Sequence, residues 1–301
     1  MRYQKTIKNP VECRGVGLHT GAGVCVRLSP APPDTGIVFI RSDKRSSIEA
    51  RVENIVATEY SSTLGTNGSS VKTVEHLLAA MAGLNIDNIY VELNSSEVPI
   101  MDGSAYPFVE LLLNSGIVQQ ERIKPHIKIL QTIEIAEADR YIKIEPSPFP
   151  AITYIMDFDH PMLSRQKFVY NPSVEGFIKD IAPGRTFAFL RDVTSLQEKG
   201  LGRGGSLENV IILGDDDILN KDGLRYKDEF IRHKILDLIG DMSLLSKSFI
   251  GHITAYRSGH TLNTRLAAAI LADNDKWVEI GCKVTTQVDR LKVDRLKTEV
   301  L

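Results

Sequence analysis

The chain has 301 residues, of which 43% are apolar and 25% charged, the composition of an ordinary globular protein rather than a disordered one. The formal net charge is -2 and the chain has no long basic run. It therefore lacks the charge pattern of proteins that bind nucleic acid or anionic membrane surfaces. We therefore expect no nucleic-acid partner.

Targeting and cysteine patterns narrow the class further. No stretch reaches the roughly 18 apolar residues of a membrane span, and the first residues, MRYQKTIKNP, lack the apolar core of a secretory signal. We expect a cytoplasmic protein with no membrane span. Cys13, Cys25 and Cys282 form no C-x-x-C pair, which predicts neither a disulfide framework nor a thiolate metal site. A bound metal would need histidine and carboxylate ligands.

The first part of the chain is predicted to be rich in β-strands. Strand-like runs, separated by Pro, Gly, Ser and Asp, are GVCVRLSP, GIVFIRS and SIEARVENIVA. An apolar helix follows from Thr73 to Leu84, then a strand over DNIYVELN and a polar loop over SSEVPIMDGSAY. A second helix, PFVELLLNSGI, ends at Gly116.

The remainder repeats this order. Strands are predicted over IKILQTIEIAE, RYIKIEP, AITYIMDFD and KFVYN, followed by a long helix, KDEFIRHKILDLIGDMSLL. A strand GHITAYRS, a loop GHTLN and a helix TRLAAAILAD complete the series. The repeat and the chain length predict two α+β domains of related topology, residues 1–123 and 124–301, divided at the charged segment QQERIKPHIKI.

Two helices carry residues suited to a metal site. His233 and Asp237 in HKILD lie four residues apart, so they project from one helix face, although surface ion pairs show the same spacing. His76 from the first helix would complete two His and one carboxylate, a ligand set of catalytic zinc sites with an open position. Glu75 would then be a general base, as in metalloprotease His-Glu pairs, or alternatively a first-turn acid that complements the helix dipole.

Other polar residues accompany this set. Asp241 continues the helix face that carries the two ligands, and Lys234 flanks them. His260 lies in a predicted Gly-containing loop, a setting in which catalytic groups are often presented. Thr186 in GRTF offers a hydroxyl for an oxyanion, and His19 in GVGLHTG is a further pocket candidate. Each of these residues also occurs at ordinary surface, cap or strand positions.

Six segments of the chain form a recognisable series: GVGLHTG, TVEHLLAAMAGL, EVPIMDGSAYPF, GRTF, RHKILDLIGD and YRSGHTLN. In order and spacing they closely resemble the signature segments of the UDP-3-O-acyl-N-acetylglucosamine deacetylases, bacterial enzymes of the committed step in lipid A synthesis. The resemblance covers nearly the whole chain and is thinnest from about Glu198 to Tyr226.

The resemblance implies two α+β domains, each a layered sheet and helix sandwich, packed face to face with the metal site between them. It also implies a bacterial cytoplasmic hydrolase that acts on an acylated UDP-sugar, for which we expect a monomer. The metal would be Zn2+, with Fe2+ as the alternative, held by His76, His233 and Asp237.

Residue roles follow from the same resemblance. Glu75 resembles the family's general base, His260 its general acid, Asp241 the carboxylate that orients that acid, Thr186 an oxyanion donor and Lys234 a contact to the substrate phosphate.

Substrate contacts are implied as well. Asp157 and Phe158 match positions that hold the uridine end of the nucleotide. Phe187 and His19 are further candidates for substrate binding. In FLRDVTSLQEKGL, an apolar stripe at helical spacing would line a passage for the acyl chain, although core helices show the same pattern. The stripe consists of Leu190, Val193 and Leu201.

Three other classes of protein use similar residues. A zinc peptidase would need the same ligands and base, but it would have no use for nucleotide-binding groups. A non-haem iron oxygenase also binds its metal through two His and one carboxylate, whereas the adjacent Glu75 favours hydrolysis. A non-enzymatic module with a structural zinc typically has four ligands that include Cys.

Overall fold

The protein, described here by a computed structural model over residues 2–281, has the α+β class that the sequence predicts. Cys282 and the end of the second predicted domain lie outside these residues. Cys13 and Cys25 are free thiols. Among residues 2–281, no helix combines the length and apolar character that a membrane crossing requires.

Strands and two helices fill the chain up to residue 124. The strands are β1 (Arg2–Ile7), β2 (Val11–Val16), β3 (Gly23–Pro30), β4 (Ile37–Arg41), β5 (Ser46–Glu49), β6 (Ile55–Ala57), β7 (Thr63–Thr66), β8 (Ser69–Val71), β9 (Ile89–Leu93) and β10 (Ile117–Lys124). The helices are α1 (Glu75–Gly83) and α2 (Tyr106–Asn114).

The following part has the same kinds of element. Its strands are β11 (His126–Ile129), β12 (Ile133–Glu137), β13 (Arg140–Glu145), β14 (Ala151–Met156), β15 (Gln166–Tyr170), β16 (Phe187–Phe189), β17 (Ile211–Leu213), β18 (Ser248–Ile250), β19 (His252–Tyr256) and β20 (Trp277–Ile280). Its helices are α3 (Val174–Gly176), α4 (Leu190–Glu198), α5 (Glu229–Met242) and α6 (His260–Ala272).

Two five-stranded sheets share one topology. Their strand orders are β2-β3-β9-β4-β5 and β12-β13-β19-β14-β15. In each sheet the central strand, β9 or β19, pairs parallel with one neighbour and antiparallel with the other. In each, one helix precedes the central strand in the chain (α1 or α5) and one follows it (α2 or α6), which is the repeated order expected from the sequence. The boundary near residue 123 stays a prediction, since that position lies within β10, which pairs with β1.

Helices α1 and α5 pack against each other at the centre of the molecule. After Glu75 and His76, helix α1 is apolar on all sides, and all of its residues from Glu75 to Met81 are buried. Gly240 of α5 permits the close approach, because a Cβ atom there would lie 2.1 Å from the carbonyl oxygen of Glu75. Helices α1 and α5 therefore meet at the residues that carry the candidate chemistry.

Two predicted strands are broken in the structure. SIEARVENIVA divides into β5, a 3-10 turn at Val52–Asn54, and β6, because Asn54 donates its side-chain and backbone N–H groups to Glu49 and Arg51. IKILQTIEIAE divides into β11 and β12, which belong to different sheets. There the N–H groups of Leu130 and Gln131 both donate to the carbonyl of Lys276, which turns the chain out of the first sheet.

Candidate active site

The metal-ligand candidates from α1 and α5 converge. The Nε2 atoms of His233 and His76 lie 3.4 Å and 3.6 Å from Oδ1 of Asp237. One ligand atom from each residue lies within 4.8 Å of the others, and all three side chains are buried. The imidazoles of His76 and His233 meet edge to face, with ring centroids 5.0 Å apart. This group of two imidazoles and one carboxylate could hold a divalent metal ion.

The protonation states of these residues suit metal binding. Burial lowers the pKa of His233 to about 3 despite the nearby Asp237 carboxylate, so the imidazole is neutral. Its Nδ1 lies 3.1 Å from the carbonyl of Gly184, which leaves the Nε2 lone pair free to bind a metal. Although burial alone would raise the pKa of Asp237, the charged ammonium of Lys234 holds it well below its usual range.

Lys234 is held by the same carboxylate. Its Nζ donates to Oδ2 of Asp237 at 2.9 Å, which leaves Oδ1 facing the two histidines. Burial acts to lower the pKa of Lys234, but Asp237 outweighs that effect and raises it, so the ammonium stays charged. The site thus contains a fixed positive charge beside the ligand group.

A second carboxylate and a third imidazole flank the ligands. Oε1 of Glu75 lies 3.8 Å from Nε2 of His260, whose Nδ1 lies 2.9 Å from Oδ2 of Asp241. Burial raises the pKa of Glu75. Burial alone would lower the pKa of His260, but Asp241 and then Glu75 raise it to about 9. At neutral pH the His260 imidazole is therefore protonated, and it lies beside Glu75, a carboxyl group with a raised pKa.

His260 is not in a loop, so that prediction is wrong. It is the first residue of α6, and Gly259 before it is the N-cap residue with φ of -152°. The Asn263 N–H donates to the Gly259 carbonyl at 3.0 Å, and the Thr264 hydroxyl donates to the His260 carbonyl at 2.7 Å. An imidazolium is disfavoured at a helix N-terminus. Asp241 and Glu75 supply the negative charge that offsets this effect.

The GRTF segment is fixed to the start of α5 by a buried ion pair. Nε of Arg185 donates to Glu229 at 2.8 Å, and its backbone N–H donates to the same carboxylate at 3.1 Å. Gly184 lies so close to α5 that a Cβ atom there would be 3.0 Å from the backbone nitrogen of His233. The backbone N–H of Thr186 donates to the carbonyl of Gly103 at 2.8 Å. These contacts hold Thr186 beside the ligand group.

Most of the predicted site residues share one cavity of about 220 Å³. Those that line it are Glu75, His76, Phe158, Thr186, Phe187, His233, Lys234, Asp237 and His260. Leu18, Tyr60 and Thr73 complete its wall. A larger cleft of about 410 Å³ is lined by none of the predicted site residues, and its Asp87 pairs with Arg2 and Lys124.

Three predicted residues lie just outside this cavity. Asp241 stands behind His260 and is fully buried. His19 is buried next to Leu18, and neither of its ring nitrogens has a hydrogen-bond partner among residues 2–281. Asp157 follows β14 directly, where its carboxylate accepts weak hydrogen bonds of 3.3 Å from the Tyr256 hydroxyl and the Arg165 N–H.

Leu190 and Val193 of the predicted apolar stripe lie on a surface helix, α4, but Leu201 lies beyond the end of that helix at Glu198, so the helical spacing predicted for it is wrong. None of the residues of α4 is buried, which excludes the core alternative, and Leu190 is 49% exposed. Leu190 lines a second cavity of about 310 Å³ together with Phe189, whose ring centroid lies 6.4 Å from that of Phe158. The structure does not bring Val193 or Leu201 to the wall of either cavity.

Several residues of the site had no functional signal in the sequence. Buried Glu97 accepts hydrogen bonds from the backbone N–H groups of His19 and Thr20 and from the hydroxyl of Thr73, at 2.8 to 2.9 Å. It joins the His19 loop to the start of α1. Glu97 lies in a recognised segment, but only the three-dimensional contacts reveal its function as a support. Ser62, whose hydroxyl donates to Asp241, lies in none of the recognised segments.

Comparison with known proteins identifies close relatives. A family model for UDP-3-O-acyl N-acetylglycosamine deacetylase matches residues 4–272. The UDP-3-O-acyl-N-acetylglucosamine deacetylase of Thioalkalivibrio sulfidiphilus is 48% identical over 281 residues, which cover 92% of each chain. The proteins of that name from Hahella chejuensis and Syntrophus aciditrophicus are 46% and 43% identical over 92% of this chain, and the matches cover 93% and 89% of those relatives.

Proposed function

Because this chain belongs to the UDP-3-O-acyl-N-acetylglucosamine deacetylase family, we propose that it removes the N-acetyl group of UDP-3-O-acyl-N-acetylglucosamine. Water cleaves the amide C–N bond, and the products are acetate and the nucleotide sugar with a free amine. This reaction commits the nucleotide sugar to lipid A synthesis.

One observation carries the proposal: a three-residue ligand group, a carboxyl group and a protonated imidazole all open into one cavity. Hydrolysis of an amide needs an electrophile for the carbonyl, a base for the attacking water and an acid for the leaving amine. The cavity contains a candidate for each. A structural metal site would not need Glu75 and His260 at its open side.

We propose that the metal is Zn2+, bound by His76, His233 and Asp237. Two imidazoles and one carboxylate, with a position left open, suit catalytic zinc, and the same donors also suit Fe2+. When bound, such a metal polarises a carbonyl group and increases the acidity of water. The Gly184 carbonyl and the Lys234 ammonium orient His233 and Asp237 for this task.

Glu75 is the proposed general base and His260 the proposed general acid. Glu75 takes a proton from the attacking water, and His260 as imidazolium gives a proton to the departing nitrogen, which would otherwise leave as an unstable amide anion. Asp241 orients His260 and favours its protonated form. Thr186 donates to the oxygen that becomes negative as water adds.

The remaining assignments concern the substrate. Lys234 provides positive charge for a substrate phosphate, and Asp157 and Phe158 contact the uridine end. Phe187 and His19 are the other proposed substrate-binding residues, and the unpartnered ring nitrogens of His19 support an interaction with a polar group. Leu190, Val193 and Leu201 would contact the acyl chain. Because nucleotide sugars are cytoplasmic metabolites, we expect the reaction in the bacterial cytoplasm, catalysed by a monomer.

The decisive experiment is release of acetate from the acylated nucleotide sugar by purified protein. A strong chelator should abolish the release, and added zinc should restore it. Casein and a simple acetylated amino sugar serve as substrates for the peptidase and general amidohydrolase alternatives. The deacetylase proposal fails if the metal-loaded protein releases no acetate from the nucleotide sugar, or if chelation leaves the rate unchanged.

A further inference from the structure

A buried chain of hydrogen bonds holds the Asp241 carboxylate behind His260. Oδ1 of Asp241 accepts from the hydroxyl of Ser62 at 2.5 Å, and Oδ2 accepts from the side-chain amide of Asn263 at 2.8 Å. The Ser258 hydroxyl donates to Oδ1 of Asn263 at 2.6 Å, which directs the NH2 group of that amide toward Asp241. Ser62 and Asp241 are both fully buried.

Ser62 also contacts the neighbouring carboxyl group. Its backbone N–H donates to Oε2 of Glu75 at 3.1 Å, while its hydroxyl bonds to Asp241. Ser62 lies just before β7, in the part of the chain that carries α1, whereas Asp241 and His260 belong to α5 and α6. A single residue therefore connects Glu75 of one half to the Asp241–His260 pair of the other.

We propose that Ser62 is a positioning residue for the reaction, which holds the Asp241 carboxylate, and through it the His260 ring, in a fixed orientation relative to Glu75. The inference rests on the proposed function for its kinetic consequences, but not for its geometry. A carboxylate can rotate about its Cβ–Cγ bond, and Asn263 and His260 both bond to Oδ2. Among residues 2–281, the Ser62 hydroxyl is the group that holds Oδ1 of Asp241 in place.

Loss of this hydroxyl has a defined consequence. In Ser62→Ala, Oδ1 of Asp241 would be buried without its donor, so the carboxylate would turn or admit water, and the His260 ring would follow. The backbone N–H to Glu75 remains in the variant. The substitution therefore disturbs the acid side of the site and leaves the contact to the base in place.

The first test is kinetic and uses the zinc-loaded enzyme. Ser62→Ala should lower kcat by about 10- to 100-fold with little change in KM or zinc content, as is typical when a supporting hydrogen bond is removed. Ser61→Ala, at a buried neighbour outside this hydrogen-bond chain, should stay within about two-fold of the wild type. Ser62→Thr keeps a hydroxyl and should recover most of the loss.

A double-mutant cycle separates positioning from a general structural effect. In an Asp241→Asn background, Ser62→Ala should cost less than about three-fold, because the residue that it positions is already impaired. Equal losses in both backgrounds, or a wild-type kcat in Ser62→Ala, would overturn the proposal. If Ser62→Ala does not fold, the same cycle with Ser62→Thr and Ser62→Cys supplies the comparison, since Cys is a much weaker donor.

A spectroscopic test does not depend on activity. The Nδ1 proton of His260, bonded to a carboxylate, should give a strongly deshielded proton NMR resonance in the wild-type protein. That resonance should move upfield or broaden in Ser62→Ala and persist in Ser61→Ala. An unchanged resonance would contradict the positioning role even if the substrate were misidentified, whereas failure of acetate release alone would contradict only the proposed function.

Discussion

The two halves of the molecule share a sheet topology but differ in their chemistry. In the first half, Glu75 and His76 stand together at the start of α1, and the rest of that helix is apolar. In the second half, α5 carries a buried polar residue at every fourth position: Glu229, His233, Asp237 and Asp241. Helix α6 adds His260, whereas the corresponding helix α2 buries only apolar side chains.

This difference shows that the repeated sheet is a scaffold and that the helices determine the chemistry. A four-residue spacing keeps the polar side chains of α5 on one helix face, so they form a continuous stripe within an apolar core. Buried charges require partners. Glu229 pairs with Arg185, and Asp237 with Lys234. The first half contributes fewer groups, but its proposed base, Glu75, and proposed ligand, His76, meet that stripe at the α1–α5 contact.

The largest expected effect comes from removing a proposed metal ligand from either half. His76→Ala and Asp237→Ala should each lose metal and reduce acetate release by more than about 10⁴-fold, because the ion needs ligands from both helices. Metal content by elemental analysis and the circular dichroism spectrum are the measurements. Asp222→Ala, at an exposed position of the loop before α5, is the matched control and should keep both metal and activity. If a His76→Ala, His233→Ala double variant still bound a stoichiometric amount of metal, the proposed site would be wrong.

The second expected effect separates the proposed base of one half, Glu75, from the proposed acid of the other half, His260. Glu75→Gln and His260→Gln should each lower kcat by about 10²- to 10⁴-fold while the metal stays bound, since neither residue is a proposed ligand. Together the substitutions should cost less than the product of the single losses if the two groups act in one proton-transfer sequence. A nearly normal rate in His260→Gln would leave Glu75 as both base and acid.

The pH dependence sharpens the contrast further. A general acid must be protonated, so kcat/KM should fall as the pH rises through the pKa of His260, which is about 9. Asp241 is the main group that raises this pKa, so Asp241→Asn should move the alkaline limb downward by about one to two pH units. On the acidic side, the raised pKa of Glu75 should place the limb above the ordinary glutamate range of about 4.3. His260→Gln is the control: an alkaline limb that persists there belongs to another group.

Local patterns explain which parts of the fold were predictable. The repeated element order and the common face of His233 and Asp237 follow from periodicity, which is a local property of the chain. The sequence did not predict the breaks in two strands, because contacts with distant residues turn the chain within an apolar run. The hydrogen bond from Leu130 to Lys276 is one of these contacts. His260 was assigned to a loop because Gly, Thr and Asn are weak helix formers, whereas in the structure the Asn263 side chain joins the first turn of α6 to Asp241 of α5.

For the candidate site, too, the sequence predicted local patterns but not contacts between distant residues. Residue types and a family resemblance suggested most of the side chains that line the cavity, and their roles stay predictions. Ser62, Glu97 and Arg185 support those side chains through hydrogen bonds between segments far apart in the sequence. Such contacts leave no periodic pattern or characteristic composition in the sequence, because many residue types can donate a hydrogen bond to a buried acceptor. Only the folded arrangement identifies them.

The smallest expected effect concerns α4, which has no counterpart in the first half. If Leu190 contacts the acyl chain, Leu190→Ala should lower kcat/KM for the long-chain substrate by about two- to ten-fold, since a partly exposed side chain loses only part of the roughly 0.8 kcal/mol per buried methylene. The same variant should leave the turnover of a substrate without the acyl chain unchanged. Thr194→Ala, at an exposed position of the same helix, is the matched control. Equal effects of Leu190→Ala on both substrates would assign this residue to the stability of α4 and not to recognition of the lipid, and would leave the acyl chain to contacts elsewhere in the cavity that contains Phe189.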